Sequence, residues 1–306
     1  MIPLIVIEGA TATGKSQLAF DLALKLKTEI ISADSRQVYR YLNIGTAKPS
    51  ADLLNTVKHH LIDIIDPSRT YNAGLFVKQA ENVIRELNIK GKIPIICGGT
   101  GLYVKSLLEG LFAIDDINPS IRQQLETELS VNGLESLYIL LQDIDPLAAS
   151  NIKPNDSQRI LRALEVHRAT GKTISEHWQN QKTKKTYAPY QICLQENRDV
   201  LYQRIDDRVD EMLQEGLLDE ISAVLAKGYK WSDPGFNSVG YKEFQPFMED
   251  TDTLHNCLKI AQQHTRNYAK RQMTWYRKCK FNLSEPLNSI NINNVLKSAE
   301  SYFRNL

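Results

Sequence analysis

The feature that most constrains the fold of this chain is a glycine-rich segment that directly follows its first apolar run. Residues Ile2–Ile7 are apolar and rich in β-branched side chains, which is typical of a buried strand. The next segment fits the pattern G-x-x-x-x-G-K-[ST], and leucines at helical spacing follow it. Between a strand and a helix, this pattern turns backbone N–H groups around phosphate oxygens. The predicted phosphate-binding residues are Gly9, Ala10, Thr11, Ala12, Thr13, Gly14, Lys15 and Ser16.

Strand and helix patterns alternate beyond this loop. Two further short apolar runs, Glu29–Ser32 and Ile93–Cys97, predict strands. Periodic apolar residues predict a helix at Ala73–Leu87 and another through Tyr103 and Leu107. Such alternation is typical of a parallel sheet with helices on both faces. The predicted fold class is therefore α/β, a P-loop NTPase-like parallel sheet flanked by helices.

The alternation stops near Asp115, and only helical patterns follow as far as about Gln181. Gly133 predicts a break between helices, and Asn155–Thr170 predicts a strongly amphipathic helix. We therefore expect a helical insertion domain that interrupts the phosphate-loop core. The predicted insertion spans residues 116–189, and the predicted core comprises residues 1–115 and 190–306.

The chain is expected to return to the sheet after a basic linker that contains Lys182, Lys184 and Lys185. Tyr190–Gln195 predicts the returning strand. Long helical patterns follow, and the last of them interleaves basic and aromatic residues, which suits RNA contact as well as it suits a solvated helix packed on the core. The predicted helices are Asp199–Glu215, Leu217–Lys227, Val239–Phe247 and Leu254–Cys279.

Composition narrows the class of protein only moderately. The net charge of +1 and the 24% of charged residues are ordinary for a soluble globular protein, so any basic surface must be local. No apolar run is long enough to span a membrane, and the sequence shows no heptad or dimer patch, so a monomer without membrane contact is expected. The four cysteines are widely spaced, which disfavours a zinc module and favours reduced thiols in the cytoplasm. They are Cys97, Cys193, Cys257 and Cys279.

Several further motifs carry a resemblance to a known family. Asp34-Ser-Arg-Gln-Val-Tyr39 follows the second predicted strand, and Gly98-Gly-Thr-Gly-Leu-Tyr103 follows the third. With the phosphate loop, these blocks resemble the tRNA dimethylallyltransferases, also called tRNA isopentenyltransferases, of the short bacterial type. The resemblance spans nearly the whole chain in the family's order. The other matching blocks are Gly45–Pro49, His59–Asp63, Asp156–Glu165, Ser238–Glu243 and Tyr268–Trp275.

The resemblance implies transfer of a dimethylallyl group from dimethylallyl diphosphate to N6 of adenosine 37, next to the anticodon of tRNA. It assigns proton removal to Asp34 and places Thr100 near the departing diphosphate, with Lys15 as the third catalytic residue. From position alone, Asp34 at a strand end could equally cap a helix, and Thr100 could cap the following helix while also serving the reaction. Arg208, one turn from Arg204, is predicted to bind the diphosphate, although a surface ion pair explains this spacing nearly as well.

The resemblance also implies which residues contact tRNA. Gln37 suits an adenine edge, and Arg36 suits a phosphate or a stacked base, although a solvated surface charge remains an alternative for Arg36. Unstacked bases in single-stranded loops are the natural targets of such a site. The predicted tRNA-binding residues are Asp34, Ser35, Arg36, Gln37, Arg122, Gln158, Arg159, Ile160, Leu161 and Arg162.

A magnesium ion is the one cofactor expected. The Ser16 hydroxyl, in the position of the last loop residue, is predicted to bind Mg²⁺ together with the diphosphate. His59 and His60 are adjacent and have no third ligand nearby in the sequence, so a structural or substrate-positioning role is preferred for them over metal binding. Ala10 stands where the family usually has proline, which leaves the phosphate-binding groups of the loop in place.

Two other functions fit part of the sequence. A kinase acting on a small molecule or a nucleotide would explain the loop but not the blocks Asp34–Tyr39, Gly45–Pro49 and Gly98–Tyr103. A motor or ATPase is disfavoured because no apolar run ends in an aspartate suited to a second Mg²⁺ contact. A non-catalytic RNA-binding function would explain the basic segments, but it would not explain the intact loop and Asp34. Whether ATP also binds the loop is not decided by the motif.

Overall fold

The computed structural model describes residues 1–110, 117–179 and 186–305. The chain divides into two compact units, one of residues 1–109 with 185–306 and the other of residues 110–184. The predicted boundary at Asp115 and the basic linker residues Lys182, Lys184 and Lys185 lie outside the described residues. Within the described ranges, no helix combines the length and apolarity needed to cross a bilayer.

The larger unit is built on a six-stranded sheet in which every pair of neighbouring strands is parallel. The strand order is β3-β2-β4-β1-β5-β6, so the loop that follows β1 leaves from the middle of the sheet. The carboxyl ends of such strands are where open α/β sheets bind their ligands. The strands are β1 Ile2–Gly9, β2 Ile30–Ser32, β3 His59–His60, β4 Ile95–Cys97, β5 Tyr187–Leu194 and β6 Leu283–Glu285.

Helices cover both faces of this sheet, which confirms the predicted fold class. Alternate residues of β1 point to opposite faces: Leu4 and Val6 pack in one apolar cluster, and Ile5 and Ile7 pack in another. This two-sided burial explains why β1 reads as a continuous apolar run. The helices of the unit are α1 Lys15–Leu26, α2 Ala51–Thr56, α3 Ala73–Ile89, α4 Gly101–Glu109, α9 Arg198–Gln214, α10 Leu217–Ala226, α11 Gln245–Met248, α12 Leu254–Tyr276 and α13 Ile292–Arg304.

One predicted helix is wrong. In place of a single helix at Val239–Phe247, the structure has a 3₁₀ turn at Lys242–Phe244 that runs into the four-residue α11. Gly240 has a φ of 96°, a left-handed conformation that a helix cannot contain. The segment is therefore a tight turn, and its aromatic residues Tyr241 and Phe244 are buried in an apolar cluster with residues of α9, α10 and α12.

The smaller unit is helical throughout its described residues, as its sequence predicts. Its first helix is interrupted at Gly133, where φ is 76°. The buried Asp145 contacts the first turns of two helices of this unit. Its Oδ1 accepts the N–H of Ala148 at 2.9 Å, and its Oδ2 accepts the N–H of Ser175 at 3.0 Å. The helices are α5 Pro119–Ile144, α6 Pro146–Asn151, α7 Ser157–Thr170 and α8 Ile174–Gln179.

Glu8, the residue before the phosphate loop, is a buried carboxylic acid in β1. It is only 4% exposed, and burial raises its pKa to about 7, even though Gln191 and Lys15 favour the ionised form. In the unfolded chain the carboxyl ionises near pH 4.5, so ionisation opposes folding increasingly between pH 4.5 and 7 and by a constant amount above that.

We therefore expect Glu8→Gln to stabilise the protein in a pH-dependent way. At pH 8 the free energy of unfolding should rise by about 3 kcal/mol, because a raised carboxyl pKa is a penalty on the ionised form. The gain should shrink as the pH falls and vanish near pH 4.5. Urea titrations of both proteins across this range measure the difference, and a gain that is independent of pH would contradict the assignment.

Candidate active site

The phosphate loop joins the end of β1 to the start of α1. Gly14 caps α1 in the left-handed conformation with a φ of 87°, and a Cβ at this position would lie 2.4 Å from Leu287 Cδ2. Ala12 also has a positive φ, 60°, which is uncommon for a residue with a Cβ and is typical of functional loops. The loop thus directs successive N–H groups and the N-terminus of α1 toward one cavity.

Lys15 extends across this loop. Its Nζ donates to the carbonyl oxygen of Ala10 at 2.5 Å, and Thr13 Oγ1 donates to the same oxygen at 2.8 Å. Burial lowers the pKa of Lys15, and the neighbouring Arg208 adds to the effect, while Cys97 and Asp34 oppose it. A buried ammonium with little compensation is a strong partner for a polyanion, because anion binding restores the interactions it lost from water.

Two adjoining cavities meet beside the loop. The first has a volume of about 480 Å³ and is lined by the loop, including Lys15 and Ser16. The second has a volume of about 300 Å³ and is lined by polar, basic and aromatic residues that include Arg36 and Tyr268. The residues common to both walls are Thr11, Asp34, Thr46, Ala47 and Arg208.

Asp34 therefore stands between the two cavities. Its Oδ1 accepts the N–H groups of Arg36 at 2.7 Å and Gln37 at 3.3 Å, so the carboxylate does act as a cap, but of a turn and not of a helix. These bonds orient the carboxylate. Both capping contacts go to Oδ1 of the half-buried side chain, and Oδ2 takes no part in the cap.

Thr100 lies at the end of β4 and connects this turn to α4. Its backbone carbonyl oxygen accepts the N–H of Tyr103 at 2.8 Å, so the residue does begin the helix. Its hydroxyl, however, accepts the N–H of Ser35 at 3.1 Å and does not cap α4. The Thr100 side chain is therefore fixed against the segment that carries Asp34.

Tyr268 adds an aromatic wall beside these groups. Burial raises its pKa to about 12, and the Asp34 carboxylate adds to this shift, so the phenol stays protonated at neutral pH. The guanidinium of Arg271 lies 5.8 Å from the centre of the Tyr268 ring. An aromatic face with a stacked cation is a common surface for an unpaired base.

Arg208, which is predicted to bind the diphosphate, differs in its surroundings from its helix neighbour Arg204. Arg204 forms an ion pair with Glu196 at 2.9 Å. Arg208 has no ion pair with any carboxylate of the described residues, is half-buried, and lines both cavities, and burial lowers its pKa. Arg208 is therefore the cation of this helix face that is available to an anion.

Gln37 and Arg36 already have partners within the protein. The Gln37 amide accepts from Ser32 Oγ at 3.1 Å and donates to the carbonyl oxygen of Ala47 at 3.1 Å. Arg36 Nη1 donates to the carbonyl oxygen of Pro234 at 3.3 Å. The Gln37 bond to Ala47 joins the Asp34 turn to the Gly45–Pro49 block, and the Arg36 bond joins it to the segment at Pro234, so a contact with a base would replace or share these bonds.

Several residues that support this site through hydrogen bonds were not predicted from the sequence. Lys48 Nζ, almost fully buried, binds the carbonyl oxygen of Tyr39 at 2.6 Å, Asn43 Oδ1 at 2.9 Å and the Asp63 carboxylate. Glu220 accepts the hydroxyl of Tyr241 at 2.6 Å and two backbone N–H groups near the block. From the sequence, only the positions of Lys48 and Tyr241 within the family motifs could have indicated a role for them.

The histidine pair forms no metal site. His60 Nε2 lies 2.7 Å from Glu29 Oε2, which makes His60 a structural partner. His59 Nδ1 donates to the carbonyl oxygen of Val57 at 2.7 Å, burial lowers the pKa of His59, and its ring lines the first cavity. Among the described residues, no cluster of three or more His, Cys, Asp or Glu could hold a metal.

The remaining residues predicted to bind tRNA lie on the helical unit. Gln158, Arg159 and Arg162 are exposed on α7, and Arg122 on α5 pairs with Glu126 at 2.7 Å. Ile160 and Leu161, by contrast, are buried in the core of the unit. Their side chains are therefore not exposed to a partner, and a contact of these two residues with tRNA stays a prediction.

The last long helix, α12, mixes the two roles considered for it. It ends at Tyr276 and not at Cys279. Tyr276 packs in the core and Arg266 pairs with Asp206, whereas Tyr268 and Arg271 line the second cavity. The aromatic and basic residues of α12 are therefore divided between packing and the site.

The fold and the loop define a class of α/β proteins that bind phosphorylated molecules at the carboxyl ends of parallel strands. Residues 37–279 match the model of the IPP transferase family. The chain therefore belongs to the IPP transferase family, whose model covers most of its length.

Individual relatives agree with this membership. The chain is 44% identical over 277 residues to a tRNA dimethylallyltransferase of Carboxydothermus hydrogenoformans, covering 90% of this chain and 89% of the relative. The crystal structure of a tRNA isopentenylpyrophosphate transferase from Bacillus halodurans has a TM-score of 0.72 at 35% identity and covers 99% of both chains. A eukaryotic dimethylallyltransferase described as acting on tRNA has a TM-score of 0.85 at 31% identity, covering 100% of this chain and 80% of its own.

Proposed function

We propose that this protein transfers the dimethylallyl group of dimethylallyl diphosphate to N6 of adenosine 37, the nucleotide 3′ of the anticodon in tRNA. The observation that carries this proposal is the position of Asp34 in the wall shared by two cavities. One cavity contains the phosphate loop, and the other is lined by Tyr268 and Arg271. Two substrates that enter from opposite sides would meet at this carboxylate.

The reaction forms the bond from N6 to C1 of the allylic chain and breaks the bond from C1 to the bridging oxygen. The electron pair of the broken bond leaves with the diphosphate. N6 is a weak nucleophile because its lone pair is delocalised into the ring, so it gains positive charge as it attacks. Asp34 stabilises that charge and accepts the N6 proton, which gives N6-isopentenyladenosine.

The groups around the loop act on the leaving diphosphate. The loop N–H groups, Lys15 and Arg208 stabilise the negative charge that develops on its oxygens. Thr100, whose hydroxyl accepts the N–H of Ser35 next to Asp34, is proposed to contact the same departing oxygen. The free N–H groups of the loop, those of residues 12–16, thus bind the substrate and also lower the barrier to its ionisation.

The divalent cation Mg²⁺ fits this site, although the site offers few protein oxygens as ligands. Mg²⁺ usually keeps several waters and binds through substrate phosphates with one or two protein oxygens. Ser16, at the start of α1 and in the wall of the first cavity, has an exposed hydroxyl that would hold the ion. The bound ion would neutralise charge on the diphosphate.

The tRNA is proposed to present its anticodon loop to Asp34, Ser35, Arg36 and Gln37, with the helical unit adding polar contacts from α5 and α7. Exposed arginines on α7 support this role, because most RNA contacts go to phosphates. We place the enzyme in the cytoplasm as a monomer, in keeping with its four free cysteines.

The direct test is incubation with labelled dimethylallyl diphosphate and unmodified tRNA. We expect label to enter the RNA and to be recovered on N6 of adenosine 37 after digestion. A parallel reaction with labelled ATP should give neither hydrolysis nor a phosphorylated product. Hydrolysis of ATP without prenyl transfer would favour a kinase-like activity and would refute the proposal.

A further inference from the structure

One buried side chain connects the phosphate loop to the Thr100 turn, and the mechanism above does not use it. Gln272 lies on α12 and is 7% exposed. Its Oε1 accepts the N–H of Thr11 at 2.9 Å, and its Nε2 donates to the carbonyl oxygen of Gly99 at 2.9 Å. A single amide thus joins the loop after β1 to the turn after β4.

The turn is shaped to receive this amide. A Cβ at Gly99 would lie 2.4 Å from Gln272 Nε2, closer than two such atoms can approach. Only glycine at this position therefore allows the side chain of Gln272 to reach the Gly99 carbonyl. The glycine at position 99 thus leaves room for the Gln272 amide to make its hydrogen bond to this turn.

The contact also determines which N–H groups of the loop can bind phosphate. Because Gln272 occupies the N–H of Thr11, that group is not free to bind phosphate, and the N–H groups of residues 12–16 remain for the substrate. On the other side, Gly99 directly precedes Thr100, whose hydroxyl accepts the N–H of Ser35 next to Asp34. The chain of contacts therefore runs from the diphosphate loop to the proposed base.

We propose that Gln272 is a positioning residue that sets the distance between the bound diphosphate and the pair Thr100 and Asp34. This inference rests on the proposed function. Small errors in such a distance reduce turnover strongly, because the reacting atoms must be in contact before reaction. Binding of diphosphate itself depends on the other loop amides and on Lys15, which Gln272 does not contact.

The first test replaces Gln272 with methionine, which keeps the length of the side chain and removes both hydrogen bonds. We expect kcat to fall by about 10- to 100-fold, the size typical of misplaced reacting groups. The KM for dimethylallyl diphosphate and the Kd for inorganic diphosphate, measured by calorimetry, should stay within about threefold of the wild-type values.

A matched control is available on the same helix. Gln262 donates to Asp210 Oδ1 at 3.2 Å and to the carbonyl oxygen of Asp206 at 3.4 Å, both on α9. Gln262→Met should lower the melting temperature as Gln272→Met does but leave kcat unchanged. An equal loss of kcat in the two variants would overturn the proposal, as would a Gln272→Met defect that appears entirely as weaker diphosphate binding.

A second variant adds a pH signature. In Gln272→Glu, the protonated carboxylic acid can accept from Thr11 and donate to Gly99, whereas the ionised form can only accept. The activity of Gln272→Glu relative to wild type should therefore rise as the pH falls from about 9 to about 6.5, because burial raises carboxyl pKa values into this range. The ratio of Gln272→Met to wild type should stay flat. A flat ratio for the glutamate variant would contradict the proposal, whereas absence of prenyl transfer by the wild-type protein would refute the proposed function instead.

Discussion

Asp34→Asn should abolish most of the turnover and leave the fold and tRNA binding intact. Asparagine keeps an oxygen that can accept the N–H groups of Arg36 and Gln37, so the turn remains capped. What it loses is the negative charge and the ability to take the proton from N6. We expect kcat to fall by about 10²–10⁴-fold, the range found for general bases.

The measurement is single-turnover transfer with saturating tRNA, with the Kd for tRNA determined separately. That Kd should change by no more than about threefold, because the arginines proposed to contact phosphate are untouched. Asp52→Asn, on the exposed surface of α2, is the matched control and should behave as wild type. Turnover of Asp34→Asn within tenfold of wild type would show that another group takes the proton.

Lys15→Met should separate activity from stability. Loss of the ammonium should lower kcat/KM for dimethylallyl diphosphate by about 10²–10³-fold, the effect of removing one preorganised group that stabilises developing charge. The same change should stabilise the unliganded protein, because burial of the ammonium is unfavourable, as its lowered pKa indicates. Removal of a catalytic charge that is unfavourable to bury is expected to increase the stability of the folded protein.

Steady-state kinetics and urea unfolding of the same preparations test both parts. Lys25→Met, on the exposed face of α1, is the control and should change neither quantity by a measurable amount. An unchanged KM and kcat for the diphosphate substrate would refute the assignment of the loop. A clear loss of stability in Lys15→Met would show that the contact with the Ala10 carbonyl outweighs the cost of burial.

Elements with a strong local signal could be predicted from sequence. The loop, β1 and α7 have clear apolar patterns and caps, and their bounds agree within about two residues with the structure. The two-residue β3 and the three-residue β6 went unrecognised, because their residues, His-His and Leu-Ser-Glu, form no apolar run like those that mark the equally short β2 and β4. They form because neighbouring strands offer unpaired backbone groups, which is a property of the assembled sheet.

In the site, too, some residues have a local sequence signal and others depend on long-range contacts. Asp34 and Thr100 were identified by motif, yet their partners depend on contacts between distant parts of the chain. Gln272 lies 261 residues from Thr11, and no local pattern marks a buried glutamine as the link between two loops. The role of Arg208 also needed the structure, because its helix neighbour Arg204 has the same spacing but is paired with Glu196.

In the proposed reaction, an adenine and an allylic diphosphate meet at Asp34 from two sides. A crystal structure with an unreactive dimethylallyl diphosphate analogue and an anticodon stem-loop would show whether they do. We expect the phosphates on the N–H groups of residues 12–16, with N6 of the adenine within hydrogen-bond distance of the Asp34 carboxylate. An adenine bound elsewhere, or Asp34 turned away from N6, would contradict the proposed reaction.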